Sequence, residues 1–197
     1  MAEIKSTMDL VMERAARIGK ASSEELCLEE ARKKGMHLAV EYLDGNLIDP
    51  LEALKTQESS LQVPALKGMA EIMLRNIFLP RDEMQKERTE KAVKGVMALE
   101  GESGEITAIC SELVNLLGGY MQHRVQLRGQ LEEQVKQQYE NHMAQQPEMQ
   151  RQGAQVDLAQ QQKVHEEWSR IETELNAQYN AALDQLKQQV GHRLGTE

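Results

Sequence analysis

The feature that most constrains this chain is a pair of long apolar stripes on either side of Pro147. Before the proline, Ile106, Ile109, Leu113, Leu117, Tyr120, Leu127 and Leu131 recur at mixed steps of three and four. That spacing puts one apolar face on a helix. After it, Val164, Trp168, Ile171, Leu175, Tyr179, Ala182, Leu186 and Val190 do the same. From Trp168 onward the steps run three, four, four. That cycle favours a straight or slightly right-handed seam over the left-handed coil of a strict heptad.

Proline lacks an N–H and keeps the preceding residue out of the helical region. A reversal near Pro147 therefore folds the stripes onto each other as an antiparallel two-helix coiled-coil hairpin. A tight reversal pairs Leu131 with Val164, Leu127 with Trp168, Tyr120 with Leu175 and Leu113 with Ala182. The same register sets Arg128 opposite Glu167 and Glu132 opposite Lys163, as flanking charges do when they fix orientation. Arg124 interrupts the first stripe and is expected to snorkel to its edge.

The rest of the chain is expected to be helical too. Aromatic residues make up only 3% of it, and strands draw on aromatic and β-branched side chains. Good helix formers, Glu, Lys, Gln, Leu, Ala and Met, dominate. The fold class expected is all-α: a small N-terminal bundle of about five helices over residues 1–102, then the hairpin over 103–197. Ser6 is expected to cap a first helix with Met8, Val11, Met12 and Ala15 on one face, ending at Gly19. Ser22 with Glu25 opens a second, with Leu28, Ala31, Leu38 and Tyr42 on one face. Gly35 within it suits close helix packing, and Asp44-Gly45-Asn46 ends it. Asp49-Pro50-Leu51-Glu52 carries the cap, first-turn proline and acid of a helix start. Pro64 opens a helix with Leu66, Met69, Ala70, Met73, Leu74 and Ile77 on one face. Leu79-Pro80-Arg81-Asp82 restarts the chain into Met84, Ala92, Val93, Val96 and Met97. Glu100 to Gly104 reads as a linker, with Ser103 able to cap the first arm. Ile106 to Leu117 carries a wider apolar face than a two-helix seam needs, which calls for more partners or for self-association.

The chemistry that residue spacing can signal is not found. None of His37, His123, His142, His165 and His192 has Glu three residues before it, so the Glu-x-x-His pair of a di-iron bundle is absent. His165-Glu166-Glu167-Trp168-Ser169 lacks the second histidine of a zinc-protease helix, and Gly101 to Gly104 lacks a phosphate loop's Gly-Lys-Ser/Thr ending. Cys27 and Cys110 form no framework and suit small buried hydrophobes. No catalytic residue, metal or cofactor is expected. The net charge of −9 argues against nucleic acid, whose phosphates need a basic face. The uncharged run from Leu113 to His123 is too short to span a bilayer. Residues 1–5 are charged from Glu3 and carry no apolar signal core, so a cytoplasmic chain is expected.

These observations point to a non-enzymatic interaction or scaffold protein, acting through a projecting coiled coil on a protein partner or on itself as a homodimer. A rival expectation is a compact bundle that binds or processes a small ligand near Tyr42, Gly118, Gly119 and Tyr120. It requires an enclosed apolar pocket with converging polar groups.

Overall fold

A computed structural model describes residues 7–100, 104–145 and 153–196, with side chains described for 23–100, 104–141 and 161–196. The described residues form six helices and no strand: α1 Thr7–Asp44, α2 Pro50–Lys55, α3 Ser59–Arg75, α4 Glu83–Leu99, α5 Glu105–Gln145 and α6 Gly153–Leu194. The all-α class holds. The reversal at Pro147, the caps at Ser6 and Ser103, and the side chains of Met8, Val11, Met12 and Ala15 lie outside what is described.

Local chemistry sets most boundaries. Asp49 Oδ1 accepts from the amides of Leu51 and Glu52 at 2.8 and 3.2 Å, and Pro50 takes the first turn of α2. Asp82 caps α4 through Gln85 N at 2.8 Å, while Gln85 Oε1 accepts from Arg81 N at 3.0 Å. The two bonds satisfy donors reciprocally, as in a capping box. α1 ends at Gly45, φ 87°, with Asn46 N donating to Glu41 O and Gly45 N to Tyr42 O. This left-handed exit favours glycine.

Two boundaries differ from expectation. Gly19 does not end a helix and Ser22 does not start one; α1 is continuous over 38 residues. One interior glycine costs about 1 kcal/mol, which the strong helix formers around it outweigh. Pro64 does not open α3 but lies inside it, five residues after Ser59. Among the described residues four helices precede Glu100, where about five were expected.

Bare glycines hold the N-terminal helices together. α1 and α3 run antiparallel and nearly touch backbone to backbone. A Cβ on Gly35 would sit 1.8 Å from Ala65 O, and one on Gly68 would sit 2.1 Å from Arg32 O. Gly95 on α4 gives the same room to Tyr42 and Met73. Across the α1–α3 contact, Arg32 Nη2 meets Glu71 Oε2 at 2.6 Å.

One core spans both halves of the chain. Ala39, Met69, Met73, Ile77, Val93 and Val96 pack with Ile106, Cys110, Leu113 and Leu117 of α5 and with Leu183 and Val190 of α6. Most of the wide apolar base of α5 is thus covered by its own chain, while Val114 stays exposed. Met84, expected on the inner face of α4, is 77% exposed, and Cys27 is exposed whereas Cys110 is buried. Leu28 is also exposed.

α5 and α6 run antiparallel. Glu105 near the start of α5 meets Arg193 near the end of α6 at 2.9 Å, and Gln138 near the end of α5 accepts from Lys163 Nζ at 2.8 Å. A second, separate apolar cluster joins them further along: Leu131, Val135 and Trp168, flanked by Leu127, Tyr139, Val164 and Ile171. The expected charge pairs across this seam do not form. Arg128 turns to Glu132 on its own helix at 2.9 Å, Glu167 takes Arg170 at 3.8 Å, and Lys163 takes Gln138. Neighbours one turn away on the same helix pair without ordering a second element.

Candidate functional site

Between the two apolar clusters lies a polar layer on facing turns of α5 and α6. Tyr120 is fully buried, and its hydroxyl donates to Asn176 Oδ1 at 2.8 Å. One α5 turn on, Arg124 Nε and Nη2 both reach Glu172 Oε1, at 3.1 and 2.9 Å. Arg124 Nη1 donates to the carbonyl of Arg81, in the connection between α3 and α4, at 3.0 Å. The guanidinium carbon lies 5.7 Å from the Trp168 ring centre, within cation–π range. Tyr179 packs edge-on to Tyr120 at 5.4 Å, and its hydroxyl lies 3.5 Å from His123 Nδ1.

Arg124 is therefore a clamp and does not snorkel. Its side chain is 19% exposed and that of Glu172 20%. One planar fork ties α5 to both α6 and the α3–α4 connection, which a point-charge lysine would do less well. Tyr120–Asn176 and Arg124–Glu172 are one residue out from the expected pairing of Tyr120 with Leu175. Apolar stripes tolerate more than one register, whereas directed hydrogen bonds fix it. Among the described residues no buried side-chain nitrogen or oxygen lacks a partner. Such a closed set of donors and acceptors holds the helices in place.

Of the four residues of the rival small-ligand site, three are consecutive on α5 and the fourth, Tyr42, packs against α4. Tyr42 packs on Gly95 of α4, with Lys91 Nζ 5.4 Å from its ring. Tyr120 faces α6. Gly119 lies beside Tyr179, a Cβ there meeting its hydroxyl at 3.8 Å, whereas a Cβ on Gly118 would meet nothing within 4 Å. An open surface groove of about 540 Å³ runs between α3 and α6, lined by Leu74, Asp184, Gln185 and Lys187 among others. Its one ammonium is already occupied: Lys187 Nζ donates to Ile77 O at 3.0 Å. No three His, Cys, Asp or Glu side chains among the described residues are placed to share a metal ion, and no described helix is long and apolar enough to cross a membrane.

Sequence reasoning missed Glu100 as well as the role of Arg124. Its carboxylate accepts from the amides of Ile106 at 2.6 Å and Thr107 at 2.7 Å, capping α5 from outside the helix. An acid a few residues before a helix start was the available signal.

A family model matches residues 51–192. The chain belongs to a family of unknown function (DUF6657). No curated protein and no solved structure matches it. The matched span takes in α3, α4, α5 and nearly all of α6, and with them Arg81, Arg124, Glu172 and both apolar clusters. α1 lies outside it.

Burial gives the fold an alkaline limit. It pushes the Cys110 thiol up to about 11, with Glu100 the smaller cause. Burial also raises Tyr42 and Tyr120. A group whose pKa rises on folding contributes stability that is whole below its unfolded value, here 9.0 for the thiol, and is lost as pH climbs through the folded value. For Cys110 this is on the order of 2 kcal/mol. Lys187 works in the opposite sense, because burial lowers its pKa, but it stands against Cys110 and both tyrosines. The urea midpoint is expected to hold steady to about pH 8.5 and to fall between pH 9 and 11, and Cys110→Ala should flatten the fall. A midpoint constant across that window would contradict this.

Proposed function

We propose that this chain is a non-enzymatic interaction or scaffold protein, and that the distal parts of α5 and α6 project as a coiled coil that engages a protein partner in the cytoplasm. The observation that carries this reading is the second apolar cluster. Leu131, Val135 and Trp168 are buried by α5 and α6 alone, apart from the core that the bundle shares. The outer faces of this arm are mostly polar: Glu132, Glu133, Lys136, Gln161 and Glu166 are all exposed, with Val125 the large apolar exception. If the protein forms a homodimer, the base of α5 is a poor place for the contact, since Ile106, Ile109, Leu113 and Leu117 are already buried within the chain. The arm is the better surface.

A photo-crosslinking side chain introduced at Lys136 or Glu166 on the arm, and at Lys55 or Lys94 on the bundle, tests this in the native cell. Arm positions should give discrete adducts that the bundle positions lack. Adducts from the bundle positions alone would overturn the reading.

A further inference from the structure

The polar layer sits where the α5–α6 pair leaves the shared core, and both helices are locally weak there. α5 carries Gly118 and Gly119 one to two turns before Arg124. Glycine pairs are a recognised cause of helix bending. Gly35, Gly68 and Gly95 are each required by a close neighbour, but a Cβ on Gly118 would enter open space, as would one on the isolated Gly129 further along α5; only Gly118 has a second glycine beside it. Packing in this conformation gives no reason for it. On α6 the facing stretch holds Thr173, Asn176 and Asn180, all poor helix formers. The Thr173 hydroxyl bonds back to Ser169 O at 2.7 Å, an arrangement that often bends helices. The apolar clusters stop on either side of this level. Only Tyr120 and Leu175 are buried at this level, against the larger clusters on either side.

Against that weakness stands one guanidinium. Glu172, on the arm side with Arg124, aims the fork, and the bond from Arg124 Nη1 to the Arg81 carbonyl ties the arm to the bundle. We infer that the arm is articulated at Gly118–Gly119 and Asn176, and that Arg124 is the lock holding it in the orientation seen. Released, the arm swings as a unit, because its own cluster around Trp168 stays intact. The inference rests on the reading of the distal helices as a projecting arm. It adds that the arm has a locked and a free state, and that a partner competing for Glu172 or for the Arg124 guanidinium would shift the balance between them.

Distance distributions between spin labels test it on the full chain. The labels go on Glu52→Cys in the bundle and Lys136→Cys on the arm, with Cys27→Ser to remove the exposed thiol. Cys110 is buried with its pKa raised and stays unlabelled at neutral pH. The parent should give a narrow distribution at long distance. Arg124→Met keeps a stem to pack on Trp168 but removes the fork, and should widen the distribution about twofold with unchanged helicity. Adding Gly118→Ala and Gly119→Ala to that variant should narrow it again, since alanine there stiffens the helix and meets no backbone. An Arg124→Met width equal to the parent's, at the same long mean, would overturn the lock and leave the arm standing. A short mean in the parent would overturn the arm, and the lock with it.

Discussion

Alanine at Gly68 will lower the melting temperature by about 10 °C. The added methyl would fall 2.1 Å from the carbonyl oxygen of Arg32. That neighbour is backbone, so no rotamer change relieves the contact. α1 and α3 must separate along their length, which opens the packing around Ala39, Ala65 and Met69, all essentially inaccessible. Overpacking of this kind costs about 3 kcal/mol. Gly35→Ala meets Ala65 O from the other side and should cost as much. The two changes should be less than additive, because either one already parts the same helix pair. Melts followed by circular dichroism check this. An unchanged midpoint in either variant would mean that α1 does not lie on α3 as described.

The second large effect is local. Trp168 is the largest side chain in the distal cluster and is 6% exposed. Trp168→Ala removes its contacts with Leu131 and Val135 and the ring beneath Arg124 and Arg128. Truncation of a buried tryptophan costs about 3–5 kcal/mol. A cluster with three buried members has little else to offset that loss, so the arm should open without the bundle. Hydrogen exchange should show amides near Leu131 and Trp168 losing protection about a hundredfold, while those of α3 and α4 keep theirs. Equal loss throughout would show that the two clusters form one cooperative unit.

How much of this was legible in the sequence depends on how local the cause is. The stripes from Ile106 to Leu131 and from Val164 to Val190 were readable because a helix writes its buried face into residue spacing. Leu113, Tyr120, Trp168, Leu175 and Val190 are buried as that spacing required. Asp49-Pro50 and Gly45 were readable because caps and left-handed exits are set by neighbouring residues. Arg124 was not. In sequence it is a charge that breaks a stripe, and its partners, Glu172 and Arg81, lie far away along the chain and become neighbours only after folding. The importance of Gly68 was invisible for the same reason: a glycine that a facing backbone requires looks like Gly118, which nothing requires. Val135 was passed over because the stripe was ended at Leu131, one turn too early, and Leu183 because it lies beside Ala182, where the contact surface drifts around the helix. Cys27 and Met84 were misassigned because an apolar residue on a helix is buried only if something covers it.

Small-angle X-ray scattering of the whole protein tests the projecting arm most directly. α5 has 41 residues, about 60 Å at 1.5 Å per residue. A compact globule of this chain length has a radius of gyration of about 16 Å. With the distal helices standing clear of the bundle, the measured radius should be clearly larger, and the pair-distance distribution should carry a long tail beyond its main peak. A radius near 16 Å with a symmetric distribution would contradict the account, because the distal helices would then be folded back on the bundle with no arm to present.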